Sequence, residues 1–227
     1  MGSLLEGNPQ RMEVTDLKKL RGLYLVAAPI LPADKLLIVV EKALNGGVDI
    51  VQFIPDGQSL ETLETAKGLS KLTEQFNVPF LINGRLLLAR EIRADGLHFD
   101  GYLIEPSEAR RILGRRCIVG YTVGNDLKKL VWAETVGANY VSFCSIFPTP
   151  SVGQCDIVPI ETVKAAKSKT ALPVFAAGGI SSKNAHLVLE AGADGIAVTS
   201  AILKAKDPEQ AARSLKEIVR EHRMHAS

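Results

Sequence analysis

Eight short apolar runs alternate with helix-like stretches along 227 residues, and no linker or shift of composition divides them. The last two runs lead straight into a Gly-Gly turn (Gly178-Gly179) and a Thr-Ser turn (Thr199-Ser200). Together these observations predict an α/β chain folded as one (β/α)8 TIM barrel with a short N-terminal extension. The composition supports a single buried core, with 46% hydrophobic and 23% charged residues.

In chain order the strand expectations are Leu23–Ala28, Val48–Phe53, Pro79–Ile82, Gly96–Phe99, Cys117–Val123, Tyr140–Cys144, Val174–Ala177 and Gly195–Thr199. All are rich in Val, Ile, Leu and Phe with little alternation, as expected of parallel strands covered on both faces. The intervening helices are expected at Asp34–Asn45, Leu60–Phe76, Leu86–Arg93, Ser107–Leu113, Asp126–Val136, Ile160–Lys167, Ser182–Ala191 and Pro208–His222. Their apolar residues recur at spacings of three and four, which places them on one helical face. Four segments echo one another between a helix end and the next strand: Gly46-Gly47-Val48-Asp49, Ala94-Asp95-Gly96, Gly137-Ala138-Asn139 and Gly192-Ala193-Asp194-Gly195. Their glycines are read as left-handed helix caps with a structural role. Residues 1–21 fall outside the repeat and are expected to be an extension over the barrel bottom, leaving 22–227 as the barrel.

The bulk properties exclude several functions. A net charge of +2 gives no basic field, so neither nucleic acid nor a membrane surface is an expected partner. No apolar run is long enough to span a bilayer, and the first residues lack a signal-peptide core. Cys117, Cys144 and Cys155 are odd in number and widely spaced, which fits neither a disulfide framework nor a zinc site. Reduced thiols in the cytoplasm are the expectation. His98, His186, His222 and His225 do not cluster in sequence as metal ligands. A Schiff-base mechanism would need a lysine at a strand end, and none stands there.

In this architecture chemistry is confined to the C-terminal ends of the strands. The polar residues expected there are Gln52, Asn83, His98, Thr122, Thr149, Ser151, Thr199 and Ser200, together with the backbone of Gly178 and Gly179. The two glycines and the Thr199-Ser200 turn form a phosphate cup, because helix N-termini offer unpaired N–H groups and a partial positive charge. The expected ligand is a phosphorylated small molecule. Gln52 and Asn83 have two readings, as amides satisfying buried backbone or as pocket residues, and the second leads on position. His98 is read equally as a loop-bonded histidine and as an acid or base. Asp56, before Gly57, reads as a turn residue, and Asp100 as a turn or cap. Cys144 reads as a small core residue rather than a nucleophile.

Read together, Val48-Asp49-Ile50-Val51-Gln52, Leu81-Ile82-Asn83-Gly84-Arg85, Ala94-Asp95-Gly96-Leu97-His98, Phe147-Pro148-Thr149-Pro150-Ser151, Ala177-Gly178-Gly179-Ile180 and Ala191-Gly192-Ala193-Asp194-Gly195 resemble the thiamin phosphate synthase and thiazole tautomerase superfamily. The resemblance runs from about Leu23 to Arg213. It implies thiamin biosynthesis: the synthases join a pyrimidine diphosphate to a thiazole phosphate and expel diphosphate with the help of magnesium. Carried over residue by residue, the family's diphosphate site keeps Gln52 and Asn83, while its arginine and lysine become Ile54 and Asp56. One magnesium aspartate becomes Gly84, the other falls near Leu103, and the loop lysine becomes Val152. The serine after strand five becomes Thr122, and the thiazole-phosphate cup of Gly179, Thr199 and Ser200 is retained.

Because buried diphosphate needs compensating charge, these changes lead to the expectation of a stripped diphosphate half, no metal site and no resident cofactor. The activity then expected is tautomerase-like or absent, although the tautomerase histidine also falls on a glycine, Gly124. Two alternatives stand beside it. One is a working synthase whose Mg2+ site is rewired through Asp56, Asp100 or Glu105. The other is a non-catalytic binding partner of thiamin enzymes. Self-association into a homo-oligomer is compatible with every reading.

Overall fold

The computed structural model describes residues 20–101, 104–149 and 156–225. Eight parallel strands close into a barrel in sequence order, each followed by a helix. The strands are β1 (Gly22–Ala27), β2 (Ile50–Phe53), β3 (Phe80–Asn83), β4 (Gly96–Phe99), β5 (Ile118–Thr122), β6 (Tyr140–Phe143), β7 (Val174–Ala177) and β8 (Gly195–Val198). The helices are α1 (Ala33–Asn45), α2 (Leu60–Gln75), α3 (Leu86–Glu91), α4 (Pro106–Leu113), α5 (Leu127–Thr135), α6 (Ile160–Lys167), α7 (Ala185–Glu190), α8 (Ser200–Leu203) and α9 (Pro208–His225). The one-turn α8 is the helix the apolar spacing does not announce, being too short to show a period. No helix among the described residues is long and apolar enough to cross a membrane.

Alternation along each strand sorts the side chains into two cores. Leu23, Leu25, Val51, Ile82, Val119, Val141 and Ile196 point outward into the layer shared with the helices. Tyr24, Ile50, Leu81, Ile118, Tyr140, Phe175 and Ala197 fill the barrel interior, joined by Leu20 just before β1. Residues 1–19 of the expected extension lie outside the described residues.

The four echoing segments share one physical role. Each carries an Asp or Asn immediately before an even-numbered strand, and each of these side chains accepts the backbone N–H of a residue at the start of the preceding odd strand. The pairs are Asp49 with Leu23, Asp95 with Phe80, Asn139 with Val119 and Asp194 with Val174, all at 2.8 Å. In return, each Asx backbone N–H donates to the carbonyl of the same partner at 2.7–2.9 Å. The barrel bottom is thus clasped in four strand pairs, and buried N–H groups that lie beyond the ladder are satisfied.

The glycine reading needs one correction. Gly47, Gly137 and Gly192 take the expected left-handed conformation, but in the second echo Arg93 takes it instead, at φ 55°. Gly96 is required for another reason. A Cβ there would stand 2.0 Å from the carbonyl oxygen of Ile118, inside the barrel wall.

Candidate active site

Seven side chains close a hydrogen-bonded ring at the C-terminal mouth. Tyr24 of β1 donates to Gln52 Oε1 at 2.7 Å, Gln52 Nε2 donates to Asn83 Oδ1 at 2.9 Å, and Asn83 Nδ2 donates to Asp100 Oδ2 at 3.0 Å. On the other side Thr122 Oγ1 lies 3.1 Å from Asp100 Oδ1 and 2.9 Å from His98 Nε2. His98 Nδ1 lies 2.8 Å from the Tyr140 hydroxyl, which closes the circle at 2.9 Å from Tyr24. Ser142 adds a spur, its hydroxyl 3.0 Å from Thr122. Of the polar residues expected at the strand ends, Gln52, Asn83, His98 and Thr122 are therefore brought into one network.

Strand parity explains the assembly. Each ring member on a strand occupies an inward position, and the register sets Asn83 opposite His98 and Thr122 opposite Ser142. Gly120, opposite Tyr140, leaves the room its ring occupies: a Cβ at Gly120 would stand 2.1 Å from Tyr140 Cζ. Phe175 supports both tyrosines edge-on, with ring centroids at 5.3 and 5.4 Å. The two hydroxyls meet inside the barrel from β1 and β6, three strands apart around the wall.

Burial shapes the ionisation of the ring. His98 has a side chain only 5% exposed, whereas that of Asp100 is 66% exposed, with 3.7 Å between Nε2 and Oδ1. Burial pulls the imidazole down to about 4, partly opposed by the Asp100 charge, so His98 is neutral around neutral pH. Burial also pushes Tyr24 and Tyr140 well above the ordinary phenol range, so both remain protonated donors. The Cys117 thiol is pushed up to about 12 by burial, which makes it inert. Cys144 is half-buried and is in no disulfide, and Cys155 lies outside the described residues.

Beside the ring, the turns after β6 and β7 are zipped together. Ile146 and Phe147 donate their backbone N–H to Ala177 and Gly178 at 2.9 and 3.1 Å, extending the ladder past the strands. Gly178 and Gly179 adopt φ 87° and 67°. Cβ atoms there would meet Ser145 Oγ at 2.0 Å and Phe147 at 2.7 Å, so both positions need glycine for space as well as conformation. Asn184 braces the turn by donating to the Gly179 carbonyl at 3.0 Å and accepting from Ser181 N–H at 2.8 Å. Thr199 is the residue before α8 and Ser200 its first residue, both half-buried. Thr149 is half-buried in the loop after β6, and Ser151 of that loop lies outside the described residues, as do Leu103 and Val152.

The positions that depart from the family pattern are also placed. Asp56 is exposed in the turn before α2, its carbonyl accepting from the Thr62 hydroxyl at 2.7 Å, and Gly57 follows at φ 71°. Gly84 takes φ 63° between Asn83 and Arg85. Among the described residues no three His, Cys, Asp or Glu side chains come together as a metal cluster. Composition-led reading missed Tyr24, Tyr140 and Ser142. The signal that finds them is parity, since each sits two residues from another inward position, Val26, Ser142 and Tyr140 respectively.

Fold and mouth define a (β/α)8-barrel protein with its polar residues gathered where such barrels work on small molecules. Residues 23–202 match the profile of the family described as thiamine monophosphate synthase, and the chain belongs to that family. It is 36% identical over 196 residues to the thiamine-phosphate synthase of Methylococcus capsulatus, covering 86% of this chain and 88% of that one. It is 35% identical to the enzyme of that name from Clostridium acetobutylicum, over 88% of this chain and 95% of the relative. A solved thiamine phosphate pyrophosphorylase from Pyrococcus furiosus superposes with a TM-score of 0.78 at 30% identity, over 91% of this chain and 98% of that one.

Proposed function

We propose that this protein is a transferase of the thiamine-phosphate synthase type, joining a pyrimidine diphosphate to a thiazole phosphate with loss of diphosphate. The observation that carries the reading is its likeness, over 85–88% of its length, to a series of proteins that bear that name. In this reading residues 22–227 are the catalytic barrel. Gly178, Gly179, Thr199 and Ser200 hold the thiazole phosphate through backbone N–H groups. Gln52, Asn83, His98 and Thr122 line the reaction pocket, Thr149 of the loop after β6 contributes to substrate binding, and Ser151 is assigned the same part from its place in the sequence alone.

The diphosphate half draws on what remains. Mg2+ is commonly bound through one or two carboxylates plus substrate phosphates, so a three-residue protein cage is not required. Asp100 suits that part, because it is exposed at the mouth and its contacts with Asn83 and Thr122 leave acceptor lone pairs open. When bound, the metal supplies neutralisation of the diphosphate charge. Arg85, two residues after Asn83 in the turn that follows β3, is the cation this reading assigns to the diphosphate.

A second reading is favoured by one specific observation. Positions 54, 56 and 84 are Ile, Asp and Gly, and Asp56 lies in an exposed turn before α2. On that reading the cup binds a thiazole phosphate while the diphosphate half is silent, and the protein is tautomerase-like or a non-catalytic partner. Calorimetric titration separates the two. Magnesium-dependent binding of a pyrimidine diphosphate supports the synthase, and binding of thiazole phosphate alone supports the second reading.

A further inference from the structure

The ring carries more information than its membership, because its protons can be counted. Asp100 carboxylate oxygens only accept, so the Asn83 amide must turn its nitrogen toward them. Asn83 Oδ1 then faces Gln52, which must present Nε2, and Gln52 Oε1 is left to face Tyr24. The single Tyr24 proton therefore goes to Gln52. The Tyr24 oxygen, 2.9 Å from Tyr140, can only accept there, so the single Tyr140 proton goes to Tyr24. Tyr140 has nothing left to donate to His98, and the 2.8 Å contact at Nδ1 is a hydrogen bond only if Nδ1 carries the proton. A neutral imidazole has one N–H, so Nε2 is a bare lone pair.

The opposite tautomer has a definite cost. With the proton on Nε2, Tyr140 would donate to Nδ1, and two buried phenol oxygens would face each other at 2.9 Å with no proton between them. With the proton on Nδ1, the contact short of a proton is Thr122 to Asp100, because Thr122 gives its single proton to Nε2. That shortfall lies at an exposed carboxylate where water can donate, while the tyrosine pair is sealed from solvent.

We propose that Tyr24 and Tyr140 are positioning residues that carry the polarity of the Asp100 carboxylate around the barrel, holding His98 as the Nδ1–H tautomer and making Nε2 the proton acceptor of the mouth. The wiring stands on the resting geometry; its use in catalysis rests on reading this mouth as the reaction pocket. It gives Thr122 a definite role, as the hydroxyl whose proton is drawn toward Nε2 while Ser142 donates to its oxygen.

The test is long-range 1H–15N correlation NMR on the full-length protein with 15N-labelled histidine near pH 7, with His98 assigned by its absence in His98→Gln. The expected pattern has the His98 proton on Nδ1. Tyr24→Phe removes the acceptor for the Tyr140 proton, which then turns to Nδ1, and the tautomer is expected to move to Nε2–H. Tyr140→Phe is expected to move it the same way, giving a second route should Tyr24→Phe not fold. A wild-type Nε2–H tautomer overturns the proposal, as does an Nδ1–H tautomer that survives in a folded Tyr24→Phe or Tyr140→Phe protein. These outcomes are read without substrate, so they are separate from whether the protein makes thiamin phosphate.

Discussion

Gly120→Ala places one methyl group where the structure has no room for it. The new Cβ would stand 2.1 Å from Cζ and 2.2 Å from Cε1 of Tyr140, whose ring is fully buried and flanked by Phe175. Overpacking of a tight core costs about 1–3 kcal/mol. Displacing the ring also breaks the hydroxyl contacts with Tyr24 and His98, at about 0.5–1.5 kcal/mol each. The expected destabilisation is therefore about 2–6 kcal/mol, read as a lower urea midpoint with an unchanged m-value. The diagnostic is the double-mutant cycle with Tyr140→Leu, which removes the obstructed ring at its own cost. If the clash is the cause, the double mutant should lose at least about 1 kcal/mol less than the sum of the singles. Strict additivity would mean that Gly120 matters for its backbone alone, and the steric account of how Tyr140 is seated would be refuted.

Three further outcomes follow from other parts of the structure. Asp194 clasps the Val174 N–H and pairs with Lys167 at 2.8 Å, so Asp194→Ala should cost about 2–3 kcal/mol in urea unfolding. Asp194→Asn keeps an acceptor, as Asn139 does naturally, and should cost about 1 kcal/mol or less; equal losses would show that charge rather than acceptance matters. Because burial lowers His98 to about 4 from an unfolded value near 6.5, the unfolded chain binds the extra proton between these values and the folded chain does not. Stability should then be complete above about pH 6.5 and fall by about 3 kcal/mol toward pH 4, among neighbours Asp100, Tyr24 and Tyr140; a His98→Gln protein that keeps the same slope would contradict this. Gly179→Ala meets both a left-handed φ and the Phe147 backbone, so thiazole phosphate affinity measured by calorimetry should fall at least about tenfold, and an unchanged Kd would place the phosphate elsewhere.

Much of the barrel was legible in the sequence because parallel strands and cap glycines are local signals. Gly96–Phe99, Val174–Ala177 and Ile160–Lys167 stand where the pattern puts them, and the other elements shift mostly by a residue or two at their ends. Helix α7 starts at Ala185 rather than Ser182, because the Asn184 side chain braces the turn, accepting from the Ser181 backbone N–H and donating to the Gly179 carbonyl. Gln52, Asn83, His98 and Thr122 were found as polar residues at strand ends. Tyr24 and Tyr140 were not, because a tyrosine inside an apolar run looks like core until barrel closure brings positions 24 and 140 to 2.9 Å. Asp100 read as a turn residue for a similar reason: its partners, Asn83 and Thr122, are 17 and 22 residues away.

On the proposed reading, this barrel performs the synthase transfer. The most direct test is incubation of the purified protein with a pyrimidine diphosphate, a thiazole phosphate and Mg2+, following thiamin phosphate and diphosphate together. The expected result is that the two products appear in equal amounts, only with magnesium present, and that Asp100→Ala suppresses both. Tight binding of thiazole phosphate with no coupled product at any magnesium concentration would contradict it and leave the diphosphate half silent.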